Sequence, residues 1–410
     1  MEYKNQYEKN FYNGHLANNP ITYDECRRAL SDYQAKTRRI PFFISDWDVD
    51  DNVLLPDLLL EHTLPRIKQN INKYYLIEDG VGCADTSQYL KKQIGISIPP
   101  KQILVGGSAT SLLCLLLLSL LVDMEDQALI LEPAYFSVHD MFDLFHRQPL
   151  TVSVSIPEFT YDYTKIENII HNEKVKLLIV TDPIFGSGIS IGQQGFCQLV
   201  ELANKYHCVL VVDMARIGMH WDTKKEILLG QQLYWIQKAE QYAVVYAPCK
   251  NVFANGIKTG VLISSDSIAV RIGNYSDSFL GSISASQAEF LTTLLSEDSW
   301  SYISQQMASN ISLAKAHFDI LDALLHYSGC KVIKPDMGHY ALSICPSTGC
   351  TERDIFFKLL REANVYTLPM GLYRLQSRDS YIFRVNLLAE MEALISGMEC
   401  ILATLKSNEQ

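Results

Sequence analysis

The chain has 410 residues, 48% of them hydrophobic and 20% charged, with a formal net charge of −11 at pH 7. That length and apolar content suit a soluble protein with a large core in two domains, and exclude a disordered chain. The acidic balance, without a basic tract, argues against nucleic acid or an anionic membrane as partner.

The N-terminal stretch MEYKNQYEKNFYNGHLANNP is polar and lacks the apolar core of a signal peptide. Residues 1–45 are expected to form an arm or lid rather than a domain. Short apolar runs then follow one another: QILVGG, ALILEP, KLLIVTDP, CVLVVDM, AVVYAPCK and GVLISS. Helical patterns lie between several of them, such as GQQGFCQLVELANKYH at 192–207. Runs this rich in Val, Ile and Leu suit strands buried on both faces of a mainly parallel sheet. The stretch LLCLLLLSLLV at 112–122 is too short to cross a bilayer and reads as a buried helix. The pattern predicts an α/β fold, with a three-layer α/β/α large domain over 46–290. Beyond it the character changes. A long helical stretch, roughly 297–327, precedes CKVIKP, HYALSIC, TERDIFFKLLREANV and YIFRVNLL, which predicts a smaller α+β domain over 291–410. Ten cysteines show neither CxxC nor CxxH spacing, so no metal site and no disulfide scaffold is indicated. A reducing cytoplasm is the simplest setting.

In parallel α/β sheets ligands bind beyond the carboxyl ends of the strands, so the residues closing the apolar runs carry the most information. The run ILV ends in Gly106, Gly107 and Ser108 before the apolar helix. This is either an ordinary Gly-Gly turn or a seat for an anion on free backbone N–H groups. The run VLVVD ends in Asp213, either a cap on the next segment or a buried carboxylate facing a cationic ligand atom. AVVYAPC ends in Lys250, either a solvated loop lysine or an amine held in a cleft to form an imine. An anion seat, an acid and an imine-forming amine are together what pyridoxal phosphate needs.

On these residues the chain resembles the fold-type I pyridoxal-phosphate enzymes, specifically the class I/II aminotransferase family, over roughly residues 45–400. GISIPPKQILVGGSATSLLCLLLLSLL resembles the segment leading into the family's phosphate loop and its helix. ALILEPAYFSVHDMF resembles the segment whose aromatic residue stacks on the cofactor ring, which would be Tyr135. VLVVDMAR is similar to the strand ending in the acid that binds the pyridinium, Asp213. KNVFANGIKTG has the family's spacing from the Schiff-base lysine to a phosphate-binding cation and glycine, which implies Lys250, Lys258 and Gly260. FRVN resembles the segment with the arginine that grips the substrate α-carboxylate, here Arg384. The resemblance further implies an amino-acid substrate, a homodimer, and Tyr74 or Tyr75 reaching the partner subunit's phosphate.

Departures from the pattern concentrate around the cofactor. Ala247 stands where the family usually has a phosphate-binding Ser, and Lys258 replaces an Arg with its bidentate fork. TDPIFGSG replaces NPxNPTG, which puts Phe185 where an asparagine usually touches the cofactor's phenolic oxygen. Arg216 occupies the place of the tyrosine that usually binds the same oxygen. If it points inward, its charge favours the phenolate; if outward, it is an ordinary ion-paired arginine. Transamination is therefore one expectation, with elimination, replacement, cyclisation or oxidation of an amino acid beside it. A degenerate binding protein that kept the fold is the expectation from another class. The N-terminal residues, without a basic helix-turn-helix pattern, leave no room for a DNA reader.

Overall fold

The computed structural model describes residues 21–45, 57–73, 82–222, 232–281, 283–347, 349–377 and 379–406. Two compact units make up the chain. The smaller comprises Met1–Asp48, His317–Ile333 and Ala341–Gln410; the larger comprises Val49–Ala316 with Lys334–Tyr340.

In the smaller unit the helix Tyr23–Thr37 starts with a reciprocal cap: Thr22 Oγ1 accepts from Glu25 N at 3.2 Å, and Glu25 accepts from Thr22 N at 3.0 Å. Cys26 and Tyr33 on its inner face join Ile21, Phe356, Leu360, Tyr366 and Leu368 in one apolar core. The helix leads into strand β1 (Phe42–Phe43).

The larger unit is built on seven strands: β2 (Ile103–Gly106), β3 (Gln127–Glu132), β4 (Leu150–Ser153), β5 (Val175–Thr181), β6 (Val209–Asp213), β7 (Tyr242–Tyr246) and β8 (Gly260–Ser264). Their order in the sheet is β2-β8-β7-β6-β5-β3-β4. The pairs β3/β4, β3/β5, β5/β6 and β6/β7 are parallel, and β8 runs antiparallel to both of its neighbours. Every residue of β6, β7 and β8 is buried, as expected for unbroken Val/Ile/Leu runs covered on both faces. Each such side chain contributes about 1.5–3 kcal/mol on burial. The helix Ala109–Leu120 is apolar nearly all round and buries Leu112, Leu113, Leu115, Leu116, Leu117 and Leu120. By contrast, the helix Gly192–Tyr206 buries one stripe, Phe196, Leu199, Val200 and Ala203. The expected mainly parallel α/β architecture is borne out, and no described helix is long and apolar enough to cross a membrane.

Strands β9 (Lys331–Ile333), β10 (Tyr340–Pro346), β11 (Val365–Tyr366), β12 (Leu368–Pro369) and β13 (Ser380–Asn386) complete the chain with the helices Glu352–Arg361 and Met391–Lys406. A four-stranded sheet has the order β12-β13-β10-β9, and β1 pairs with β11 in parallel. Gly371 lies so close to Glu352 that a Cβ there would stand 2.1 Å from Oε1, and its N–H donates to Oε2 at 3.0 Å.

Candidate active site

Register gathers the informative strand ends on one edge of the seven-stranded sheet. Thr181 pairs with Asp213, Asp213 with Val245, Tyr246 with Val261, and Gly106 with Gly260. The carboxyl ends of β2, β5, β6 and β7 and the start of β8 therefore lie side by side, where a parallel sheet places its ligand.

Lys250 closes a 3-10 turn, Pro248–Lys250, directly after β7. Pro248 at the first position presets its φ, and Lys250 N donates to Ala247 O at 3.0 Å. The next residue pins the turn down: buried Asn251 donates from Nδ2 to Ile217 O and, at 3.3 Å, to Tyr246 Oη. Lys250 Nζ comes to lie 5.8 Å from the ring centroid of Tyr135. Tyr135 itself precedes the helix Phe136–Leu144 and has Phe185 as a ring neighbour at 5.6 Å.

Asp213 is 4% exposed, and its Oδ1 accepts from Ala215 N at 3.0 Å. Burial raises its carboxyl above the ordinary aspartate range, while the charges of Lys250 and Arg216 and the Ala215 N–H pull the other way. The Arg216 guanidinium carbon sits 4.9 Å from the centroid of the Tyr340 ring, within cation–π range.

Tyr135, Phe185, Asp213, Arg216 and Lys250 line one cleft of about 620 Å³, part of it open to solvent. Gly106, Gly107, Ser108 and Lys258 gather at the β2/β8 end of the same edge. Gln287 Nε2 donates to both Gly107 O, at 3.2 Å, and Lys258 O. Ser108 caps the helix Ala109–Leu120 through Ser111 N at 3.0 Å. A Cβ on Gly260 would lie 2.6 Å from the carbonyl carbon of Ser108, so glycine is required for this close approach. Arg384 belongs to the smaller unit. It is fully buried on β13, with Nε and Nη2 donating to Ser45 O at 3.0 and 2.9 Å. Tyr74 and Tyr75 lie outside the described residues.

Several lining residues escaped the sequence reading. Asp182 follows β5 as an acid closing an apolar run, the same signal that marked Asp213. It is fully buried, accepts from Ile191 N at 2.7 Å and Ser190 Oγ at 3.0 Å, and burial pushes its carboxyl up to about 7. Met337, Gly338, His339 and Tyr340 also line the cleft. Asp336 N and Met337 N both donate to Gly188 O at 2.9 and 3.0 Å, and Trp221 Nε1 donates to Gly338 O at 2.9 Å. Gly188 has φ +71° and a Cβ there would collide with Met337 O at 2.6 Å. Nothing in the local pattern around 337–340 announces that contact, which depends on residues about 150 positions away.

The sequence profile of the family described as aminotransferase class I and II matches residues 52–394. The chain belongs to this family. A histidinol-phosphate aminotransferase from Clostridium novyi (strain NT) is 26% identical over 185 residues, 45% of this chain and 48% of the relative. The match thus spans about half the length of that curated relative. A Pyrococcus protein aligns with a TM-score of 0.80 at 18% identity, covering 94% of this chain and 96% of its own. A double mutant of Thermus thermophilus aspartate aminotransferase aligns with a TM-score of 0.80 at 17% identity, covering 95% and 98%. At such identities these structures establish the shared fold.

Members of the family use pyridoxal 5′-phosphate, and the chain is aminotransferase-like. The residues present fit the group. A buried acid, a lysine and an aromatic ring share the cleft wall, and Thr181 Oγ1 is buried there without a hydrogen-bond partner among the described residues.

Proposed function

We propose that this aminotransferase-family chain acts at the α-carbon of an amino acid and exchanges its amino group with a keto acid. The observation that carries the reading is the meeting of Lys250 and Asp213 in one cleft from the ends of adjacent strands β7 and β6. When bound, pyridoxal phosphate supplies an electron sink for charge developing at the α-carbon. Lys250 is the residue that would hold it covalently, and once the substrate amine has displaced Nζ, the freed amine would be the base that takes the α-proton and returns it. Asp213 holds the proton on the ring nitrogen, since a facing cation favours its carboxylate over the neutral acid. Tyr135 would lie against the ring, as the resemblance implies. Gly106, Gly107 and Ser108 offer the phosphate a helix N-terminus, with Lys258 as a point charge in place of a guanidinium fork. Arg384 is the candidate for the substrate α-carboxylate, as the resemblance implies. A cytoplasmic homodimer with a biosynthetic role accompanies this reading.

A second reading has a specific support. Phe185 and Arg216 line the cleft where the family usually has neutral donors to the phenolic oxygen. An altered setting for that oxygen keeps elimination, replacement or cyclisation through loss of a β- or γ-substituent, and oxidation, beside ordinary transamination.

The test begins with purified enzyme loaded with pyridoxal phosphate. Borohydride reduction is expected to fix the cofactor on the peptide containing Lys250. A panel of amino acids, with and without a keto-acid acceptor, separates acceptor-dependent keto-acid formation from acceptor-independent release of ammonia. Lys250→Ala is expected to lower turnover by roughly 10²–10⁴-fold or more. Turnover equal to that of the parent enzyme would end the catalytic reading and leave the binding-protein alternative.

A further inference from the structure

The smaller unit contains two cysteines that the proposed reaction does not use. β9 and β10 pair antiparallel with Leu342 opposite Ile333, Ser343 opposite Val332 and Ile344 opposite Lys331. The next step outward sets Cys345, within β10, opposite Cys330, the residue just before β9. Side chains alternate faces along a strand, so Cys330 shares a face with Val332, and Cys345 with Ser343. Burial agrees: Cys330 is 7% exposed, Val332 6%, and Ser343 and Cys345 0%, whereas Lys331 between them is exposed. Ser343 Oγ lies 3.8 Å from Cys345 Sγ, on that same inner face. A hydrogen bond with Cys330 that favours the protonated thiol is the foremost influence on Cys345, ahead of burial, and both hold it well above the ordinary thiol range.

We infer that Cys330 and Cys345 are a reversible disulfide site, closed by exchange with a small-molecule disulfide. Directly opposed residues of an antiparallel pair stand about 4.5–5.5 Å apart at Cα, inside the window of about 4.4–6.8 Å that a disulfide requires. Cys330 is the entry point, being the less buried of the two and following the turn residue Gly329, whose φ is +80°. Its thiolate attacks the small disulfide, forms a mixed disulfide and expels one small thiolate. The Cys345 thiolate then attacks the Cys330 sulfur and expels the second. Two protein thiols and one small disulfide become one protein disulfide and two small thiols, the two protons passing to the released thiolates.

The chain enclosed by this link contains Met337, Gly338, His339 and Tyr340, which line the cleft. The bond closes the base of the loop that carries them, and so couples the redox state of the smaller unit to the freedom of one cleft wall.

The experiment uses the full-length enzyme loaded with its cofactor and incubated with oxidised glutathione. Thiols are counted in denaturant, and peptides are mapped under non-reducing conditions. Two of the ten thiols are expected to disappear, in one linked peptide pair joining Cys330 to Cys345, and to return with dithiothreitol. Hydrogen exchange across 334–340 is expected to slow at least several-fold in the oxidised form. Cys330→Ser should abolish the linked pair; Cys345→Ser should trap the mixed disulfide on Cys330. Should Cys345→Ser not fold, Cys330→Ala tests the same loss from the less buried side. Retention of all ten thiols, a link between other cysteines, or thiol loss unchanged in Cys330→Ser and Cys330→Ala would overturn the proposal.

Discussion

Two neighbouring strands, β5 and β6, each deliver a buried aspartate to the same cleft, yet the two acids sit in opposite electrostatic company. Asp213 ends β6 and is answered by the charges of Lys250 and Arg216 as well as one N–H. Asp182, one residue past β5, is answered by neutral donors, Ile191 N–H, Ser190 and Gln232, and is further opposed by the charge of Asp336. Burial raises both, Asp182 up to about 7. Burial alone does not decide what a strand-end acid can do. The charges facing it do, and they suit Asp213 to an ionised partner role and Asp182 to holding a proton near neutrality.

Neutralising each acid is the strongest way to break this contrast. Asp213→Asn removes the charge proposed to hold a ring-nitrogen proton, and is expected to lower turnover by roughly 10²-fold or more. Asp182→Asn is expected to leave turnover within a few-fold, because an amide preserves the shape of an already proton-holding group. A kcat for Asp213→Asn close to the parent value, with a collapse in Asp182→Asn, would reverse the assignment. Stability carries the complementary signal. Asp182 moves from an ordinary 3.8 to about 7 in the folded cofactor-free protein. Below pH about 4 both folded and unfolded chains hold its proton. Between about 4 and 7 only the folded chain does, so stability falls as pH rises, by about 1.4 kcal/mol per unit, and levels off above about 7. Asp182→Asn is expected to flatten that slope in urea unfolding of the cofactor-free enzyme at pH 5 and pH 8. An unchanged slope would assign the pH dependence to other groups.

The contrast also explains what could be seen in the sequence. The sheet was legible because β5–β8 are runs dominated by Val, Ile and Leu, which suit a strand buried on both faces. Lys250, Asp213 and the Gly106–Ser108 turn were legible because they close such runs, and register then sets those ends on one edge. Asp182 carried the same local signal in KLLIVTDP, but its partners Ser190 and Asp336 come from distant segments, so its proton affinity could not be read locally. Met337, His339 and Tyr340 were hidden for the same reason. Their position depends on Gly188 and Trp221, contacts that periodicity does not encode. Arg216 was visible as a departure, but whether it faced inward depended on the Tyr340 ring against which it rests.

That arginine supplies the smallest and most discriminating change. Its charge is one of the influences that hold Asp213 down, and its contact with Tyr340 is worth about 0.5–2 kcal/mol. Arg216→Tyr removes the cation while restoring a neutral hydroxyl of the kind the family usually places there. Asp213 then loses part of what distinguishes it from Asp182, and the pH at which the bound cofactor changes its visible absorbance is expected to shift by on the order of one unit. Arg216→Lys keeps the charge without the planar stack, and should hold that midpoint near the parent value while losing part of the Tyr340 contact. If both variants titrate like the parent, the cation acts on neither Asp213 nor the cofactor. Of the two cations facing Asp213, Lys250 alone would then set it apart from Asp182.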